Sequence, residues 1–394
     1  MRMNELLTPI SFQPALKVAD PLAAFWLAQV TLRLRREVCW LWRQRGLLAG
    51  AADELGGGLL PPFADPLQST LDLTRFDADK QAFYVTDETA HWLSQQIQTP
   101  SATGRGEPAP LRGGFAWAAA ELDLTPVERF VLALVLAGVA DSTAGSVFAA
   151  CNNDAARTRP TLALAQRLWD APEQVIALAD PSHRLYRYGL LAGNTDWDAP
   201  LLMSPAVGQQ LAFPGALPEL QPDFSDSSPN PLSLTAARLR AAPGDRLRLQ
   251  PLLGVQDAPL HETAARLAGL LGGRLVTPAP GMRQDDLPVL FTLSWLRGDL
   301  PGVEFNLLSR DAQHDAPAEI PLPGLPLTVF VFLDERSQSK RLPASITQPL
   351  LSLPELDYAG RLACWRQGLA HALGTAGMEA ALADCARRFR FEAA

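Results

Sequence analysis

Apolar residues recur at helical spacing early in the chain. Trp26, Val30, Leu34, Val38 and Leu41 fall every three or four positions and predict one buried helical stripe. Asp20 is placed to cap this helix, Pro21 fits its first turn, and Gly46 stands where the chain is expected to leave it. Arg33, Arg35, Arg36, Arg43 and Arg45 surround the stripe and read as a solvated rim. Gly and Pro crowd residues 47–66, which read as a loop, and residues 99–114 (TPSATGRGEPAPLRGG) have linker composition. Residues 1–100 are therefore expected to form one helical unit.

The next unit, residues 115–213, carries the clearest local signal. In Thr125-Pro126-Val127-Glu128 the hydroxyl can accept from the third helical amide while the glutamate reaches back to the threonine amide. The helix this starts is apolar all round from Phe130 to Ala137, so it belongs inside a helical cluster. A short helix is predicted over Ser146 to Asn153 and a third over Pro160 to Trp169, with Leu162, Ala165 and Trp169 on one side. Leu185–Leu191 and Leu201–Met203 flank a polar turn, Gly193 to Asp198, and are expected to pair as a small β wing, after which Ser204-Pro205 begins another helix. Three helices and a wing make a winged-helix-like pattern.

Residues 214–231 form a further linker, beyond which strands and helices alternate. Leu247–Leu253, Leu275-Val276, Val303–Leu308 and Leu327–Leu333 read as strands, His261–Leu271 as a helix, and Leu287–Leu296 as either. Such alternation predicts a parallel sheet with helices on its faces over residues 232–356. Tyr358, Leu362, Trp365 and Leu369, then Met378, Leu382, Cys385 and Phe389, form two helical stripes, expected to be a small lid over 357–394. Phe391 to Ala394 carry no cap or tail, and more protein is expected to follow them.

Composition limits the classes available. With 394 residues, 47% hydrophobic and 19% charged, and a mean hydropathy of +0.02, the chain can build sizeable cores. The longest apolar stretch, Phe130–Ala140, falls short of the roughly 20 residues a bilayer crossing needs, so no membrane partner is expected. Glu5, Pro9 and Pro14 do not suit a signal peptide, which makes the cytoplasm the expected compartment. Cys39, Cys151, Cys364 and Cys385 lack metal or redox spacing and read as core thiols. The net charge of −8 disfavours nucleic acid, and only Lys17, Lys80 and Lys340 are lysines.

The chemistry of a nucleotide site is largely missing. A phosphate loop needs glycines whose amides face the phosphates, a lysine for the terminal oxygens and a hydroxyl for magnesium. After the first strand of the α/β region the chain instead reads Gly254-Val255-Gln256-Asp257-Ala258-Pro259-Leu260-His261. Pro259 stands for the second glycine, Leu260 for the lysine and His261 for the hydroxyl, so nucleotide binding in the usual mode is not expected. A counter-signal is the strand ending Leu333-Asp334-Glu335, whose acids could hold an ion and orient water; the plain alternative is a core strand with acids at its exit. The five histidines are scattered and no metal site is expected. Arg157, Arg159 and Arg167 gather about the third helix of the winged unit, where a DNA-binding regulator or a partner surface would be basic.

Several segments resemble the N-terminal region of a group of bacterial AAA+ ATPases. They are Thr125 to Ala137, Val147 to Asp154, Arg159 to Leu168 and Leu185 to Leu191. The group includes the ATPase encoded with extracellular contractile injection systems, phage-tail-like particles. Leu350 to Leu362 with Trp365 is similar to the strand, proline turn and arginine-bearing helix that follow the sensor strand in such domains. The resemblance implies a winged-helix-like region, then a degenerate AAA-like domain, then an intact AAA+ domain. It makes Leu327–Leu333 the sensor strand and Val303–Leu308 the magnesium strand, followed by Ser309-Arg310 in place of acids. It further implies that this chain binds no cofactor, that ATP and magnesium belong to the domain that follows, and that homo-oligomerisation and injection-system or effector proteins supply the partners. The expected function is a non-hydrolysing recognition and assembly portion; the alternatives are a P-loop hydrolase using Asp334 and Glu335, and a winged-helix DNA-binding regulator.

Overall fold

A computed structural model of the protein describes residues 17–54, 73–98, 110–152, 154–215, 231–242, 244–254, 259–309, 318–353, 358–359, 362, 366 and 378–388. The chain forms two compact units, Met1–Ala216 and Leu217–Ala394.

In the first unit, helix α1 (Pro21–Glu54) starts on Asp20, whose Oδ1 accepts from the Leu22 and Ala23 amides at 3.0 Å each. The other carboxylate oxygen accepts from the Ala116 amide at 2.9 Å and so ties α1 to a helix some ninety residues later. α1 does not end at Gly46: it continues to Glu54, into the stretch read as a loop. A glycine inside a helix costs only about 1 kcal/mol, too little to stop one that is already propagating. Helices α2 (Leu73–Thr86) and α3 (Glu88–Gln98) follow, the latter burying Ala90, Leu93 and Ile97.

After α4 (Phe115–Glu121) comes α5 (Pro126–Ala140), capped by the reciprocal Thr125–Glu128 arrangement and buried on every side from Phe130 to Leu136. α6 (Ala144–Asn152) and α7 (Leu162–Leu168) pack near it, and α8 (Pro205–Ala212) closes the unit. α1 lies along both α3 and α5, so the helices on either side of residues 99–114 share one core.

Two expectations fail here. Leu185–Leu191 is not a strand: Arg184–Arg187 is a helical turn, capped by the His183 ring, whose Nδ1 accepts from the Leu185 amide at 3.3 Å. The wing shrinks to isolated antiparallel bridges, Thr161 with Pro200 and Ala192 with Leu202, the latter two exchanging hydrogen bonds of 2.8 and 3.0 Å. Nor are the α1 arginines a uniform solvated rim, because Arg33 and Arg36 are buried. Both donate to Asp170, Arg33 at 3.1 Å, and their guanidinium groups lie over aromatic rings, Arg33 on Trp169 at 4.8 Å and Arg36 on Tyr84 at 4.3 Å. Beside them Lys80 and Glu37 form a buried ion pair of 2.7 Å. An arginine stem is hydrocarbon, so it can enter a core when its head finds rings and carboxylates there.

The second unit is helical on the faces of a five-stranded parallel sheet. Helix α9 (Pro231–Ala241) precedes β1 (Arg248–Leu253), α10 (Leu260–Leu270), β2 (Leu275-Val276), α11 (Leu287–Arg297), β3 (Leu300–Glu304), β4 (Thr328–Leu333) and β5 (Leu351-Ser352). The strand order is β2-β3-β4-β1-β5, with β1 and β4 paired from Arg248–Thr328 through Leu253–Leu333. β4 is buried at all its positions, which explains its unbroken apolar run. Gly302 on β3 faces the Phe332 ring so closely that a Cβ there would lie 2.8 Å from it.

The strand expected at Val303–Leu308 is shifted. β3 ends at Glu304, and Phe305–Leu308 coils into one helical turn. Gly298, left-handed at φ 76°, ends α11 and turns the chain directly into β3. Of the expected lid, α12 (Met378–Arg388) buries Leu382 and Ala386, whereas Trp365, Leu369 and Phe389 lie outside the described residues, as does most of the 214–231 linker. No described helix is long and apolar enough to cross a membrane.

Candidate functional site at the carboxyl edge of the sheet

In an open parallel sheet, ligands gather outside the carboxyl ends of the strands where the strand order reverses. Here β1 leaves toward β2 on one side, while β4 reaches β5 on the other. The carboxyl ends of β1, β3 and β4 therefore define the candidate site.

β1 runs out through Gly254; Gln256 and Asp257 of the following loop lie outside the described residues. Pro259 precedes α10, where its ring nitrogen offers no amide to an anion. Leu260, at the position of the expected lysine, packs against the core formed by Ala264, Leu267, Phe330 and Phe332. His261 rests its ring on Phe332, with centroids 4.3 Å apart, and its Nε2 lies 3.5 Å from Glu304 Oε1 at the end of β3. Burial pushes the Glu304 carboxyl above its ordinary value; His261 pulls it back and the negative charge of Asp334 pushes it up again. Glu304, His261 and Asp334 thus share one electrostatic neighbourhood.

Asp334 and Glu335 are exposed. Their backbone amides donate to Gln338 Oε1 at 2.9 and 3.3 Å, and Glu335 Oε2 accepts from the Ser337 hydroxyl at 2.9 Å, so Glu335 helps to build its own turn. Glu304 is the residue that sequence reasoning missed. The signal lay in Gly298: a glycine that stops α11 starts the strand at Leu300 and makes Glu304 its last residue.

Pro259 and Leu260 do not fit the phosphates of a magnesium-bound triphosphate. Such a ligand brings several negative charges, and the hydrocarbon of Leu260 and the ring nitrogen of Pro259 supply neither an ammonium group nor an amide donor to meet them. Among the described residues no group of three His, Cys, Asp or Glu side chains could hold a metal ion.

The three arginines lie in the first unit. Arg157 pairs with Asp154 at 3.3 Å and Asp198 at 2.5 Å, and Arg167 donates to Asn152 at 2.9 Å. Arg159 instead lines a cleft between α5, α6 and the segment leading to Pro160. They do not form one array of free cations.

The second unit is thus a parallel α/β domain, and the first unit is helical. No family model and no curated protein matches the chain. Among solved structures, a mutant of RuvB from Thermotoga maritima is similar at 19% identity with a TM-score of 0.28, over 40% of this chain and 54% of that one. The matched region thus spans about half of the RuvB chain.

Proposed function

We propose that this chain is the recognition and assembly portion of an AAA+ protein of the kind that accompanies contractile injection systems, and that its α/β unit packs without hydrolysing. In this reading the first unit is the winged-helix-like region, ATP and magnesium belong to a C-terminal AAA+ domain, and the chain assembles with its own copies in the cytoplasm, where injection-system or effector proteins are its clients. The observation that carries it is the packing of Leu260 into the sheet core beside the His261–Glu304 pair. Hydrocarbon stands at the position where a phosphate loop carries its lysine.

Equilibrium dialysis with labelled ATP and magnesium tests this. The chain should retain no ATP at 100 µM, and Leu260→Lys alone should not restore binding, since Pro259 and His261 still replace the second glycine and the hydroxyl. Micromolar binding by the unaltered chain, abolished by Glu304→Ala, would establish the hydrolase reading instead, with Glu304 rather than Glu335 beside the ion.

A further inference from the structure

The first unit contains a cleft that the proposed function does not use. A cleft of about 630 Å³ opens between the end of α5, the start of α6 and residues 155–160, a size typical of small-ligand sites. One wall is apolar, formed by Val139, Leu201 and Met203. Arg159 lines the same cleft and has no acidic partner among the described residues, although its neighbours Arg157 and Arg167 are both engaged. Ser142 and Thr158, whose side chains carry hydroxyl donors, also line the cleft.

We infer that this cleft binds an apolar monocarboxylate, with the carboxylate on Arg159 and the hydrocarbon against Met203 and Leu201. A planar guanidinium with free donors matches a carboxylate in two parallel hydrogen bonds. The apolar wall requires a hydrocarbon body, which inorganic anions lack. Asp141 also lines the cleft, one oxygen accepting from the Thr143 amide and hydroxyl at 2.8 and 2.7 Å. Its charge opposes a dianion, so the site selects a single carboxylate over a phosphate. The same group is offered by a free acid or by the end of a polypeptide with an apolar last residue.

Met203 provides a direct reporter. In the full chain carrying ¹³C-methyl methionine, N-acetyl-leucine and a hexapeptide ending in leucine with a free carboxyl are titrated separately. Saturable movement of the Met203 resonance with either probe supports the site, and the tighter of the two identifies the source. N-acetyl-leucinamide should bind at least about tenfold more weakly, as should the acid to Arg159→Gln, the loss expected for a charge-assisted hydrogen bond. Ala149→Phe, which fills the cleft, should abolish the movement, and pyrophosphate should not compete. Arg159 is exposed, so Arg159→Gln should leave the circular dichroism unchanged. Absence of saturation at 10 mM, equal affinity for acid and amide, or unaltered binding to Arg159→Gln would overturn the proposal.

Discussion

Replacing Asp170 by Asn should destabilise the first unit by about 1.5–3 kcal/mol. Asp170 accepts from two buried arginines, Arg33 at 3.1 Å and Arg36. Arg33 is only 6% exposed and, chiefly through burial, is lowered to about 10 despite the opposing pull of Asp170. It is charged at neutral pH in both folded and unfolded states, so its desolvation cost is borne in full and offset by Asp170 and the rings of Trp169 and Phe130. A hydrogen bond to a charged group contributes about 1.5–3 kcal/mol, which for two gives roughly 3–6. The Asp170 side chain is 50% exposed, so water replaces part of the loss, and about half of that sum remains. In a unit of this size the melting temperature should fall by roughly 5–10 °C. Thermal unfolding followed by tryptophan fluorescence measures it, with Arg33→Met providing the double-mutant cycle. Arg33→Met should cost less in the Asp170→Asn background than alone, because it removes a charge already orphaned. A change below 0.5 kcal/mol for Asp170→Asn, or an equal cost of Arg33→Met in both backgrounds, would refute the view that Asp170 neutralises this cluster.

Two further outcomes follow from the packing. Burial raises the Glu128 carboxyl, but hydrogen bonds from Arg184 and Thr125 outweigh it and hold the group below its ordinary value. Its contribution to stability is therefore complete above the unfolded carboxylate range and fades as pH falls through the lower folded value. Urea unfolding from pH 7 to pH 3 should show this loss, and Glu128→Gln should be less stable at pH 7 with a flatter acid limb; parallel curves would contradict it. Gly302→Ala should destabilise the sheet unit by about 1–3 kcal/mol, since the added Cβ meets Phe332 at 2.8 Å and Leu275 at 3.0 Å. Chemical unfolding measures it, and a neutral or stabilising result would show that β3 can shift freely.

The features legible in the sequence were those that neighbouring residues fix among themselves. The capping box at Thr125–Glu128 is closed by atoms three residues apart, and it starts α5 where expected. The apolar run of β4 required burial on both faces and lies at the centre of the sheet. The replacement of lysine by Leu260 was equally plain, since the chemistry of a side chain does not depend on its fold.

What remained hidden depended on partners distant in the chain. Arginines on a helix read as surface until Asp170, Trp169 and Tyr84, contributed by other segments, make their burial tolerable. Arg184 could extend or coil, and its ion pair with Glu128, 56 residues away, accompanies the coiled form. Glu304 became part of a site only when parallel pairing set the end of β3 beside the start of α10. Local hydrogen bonding and hydrophobic period are properties of a segment and can be read along it. The free energy of a charge depends on what surrounds it, and that environment exists only once the chain has folded.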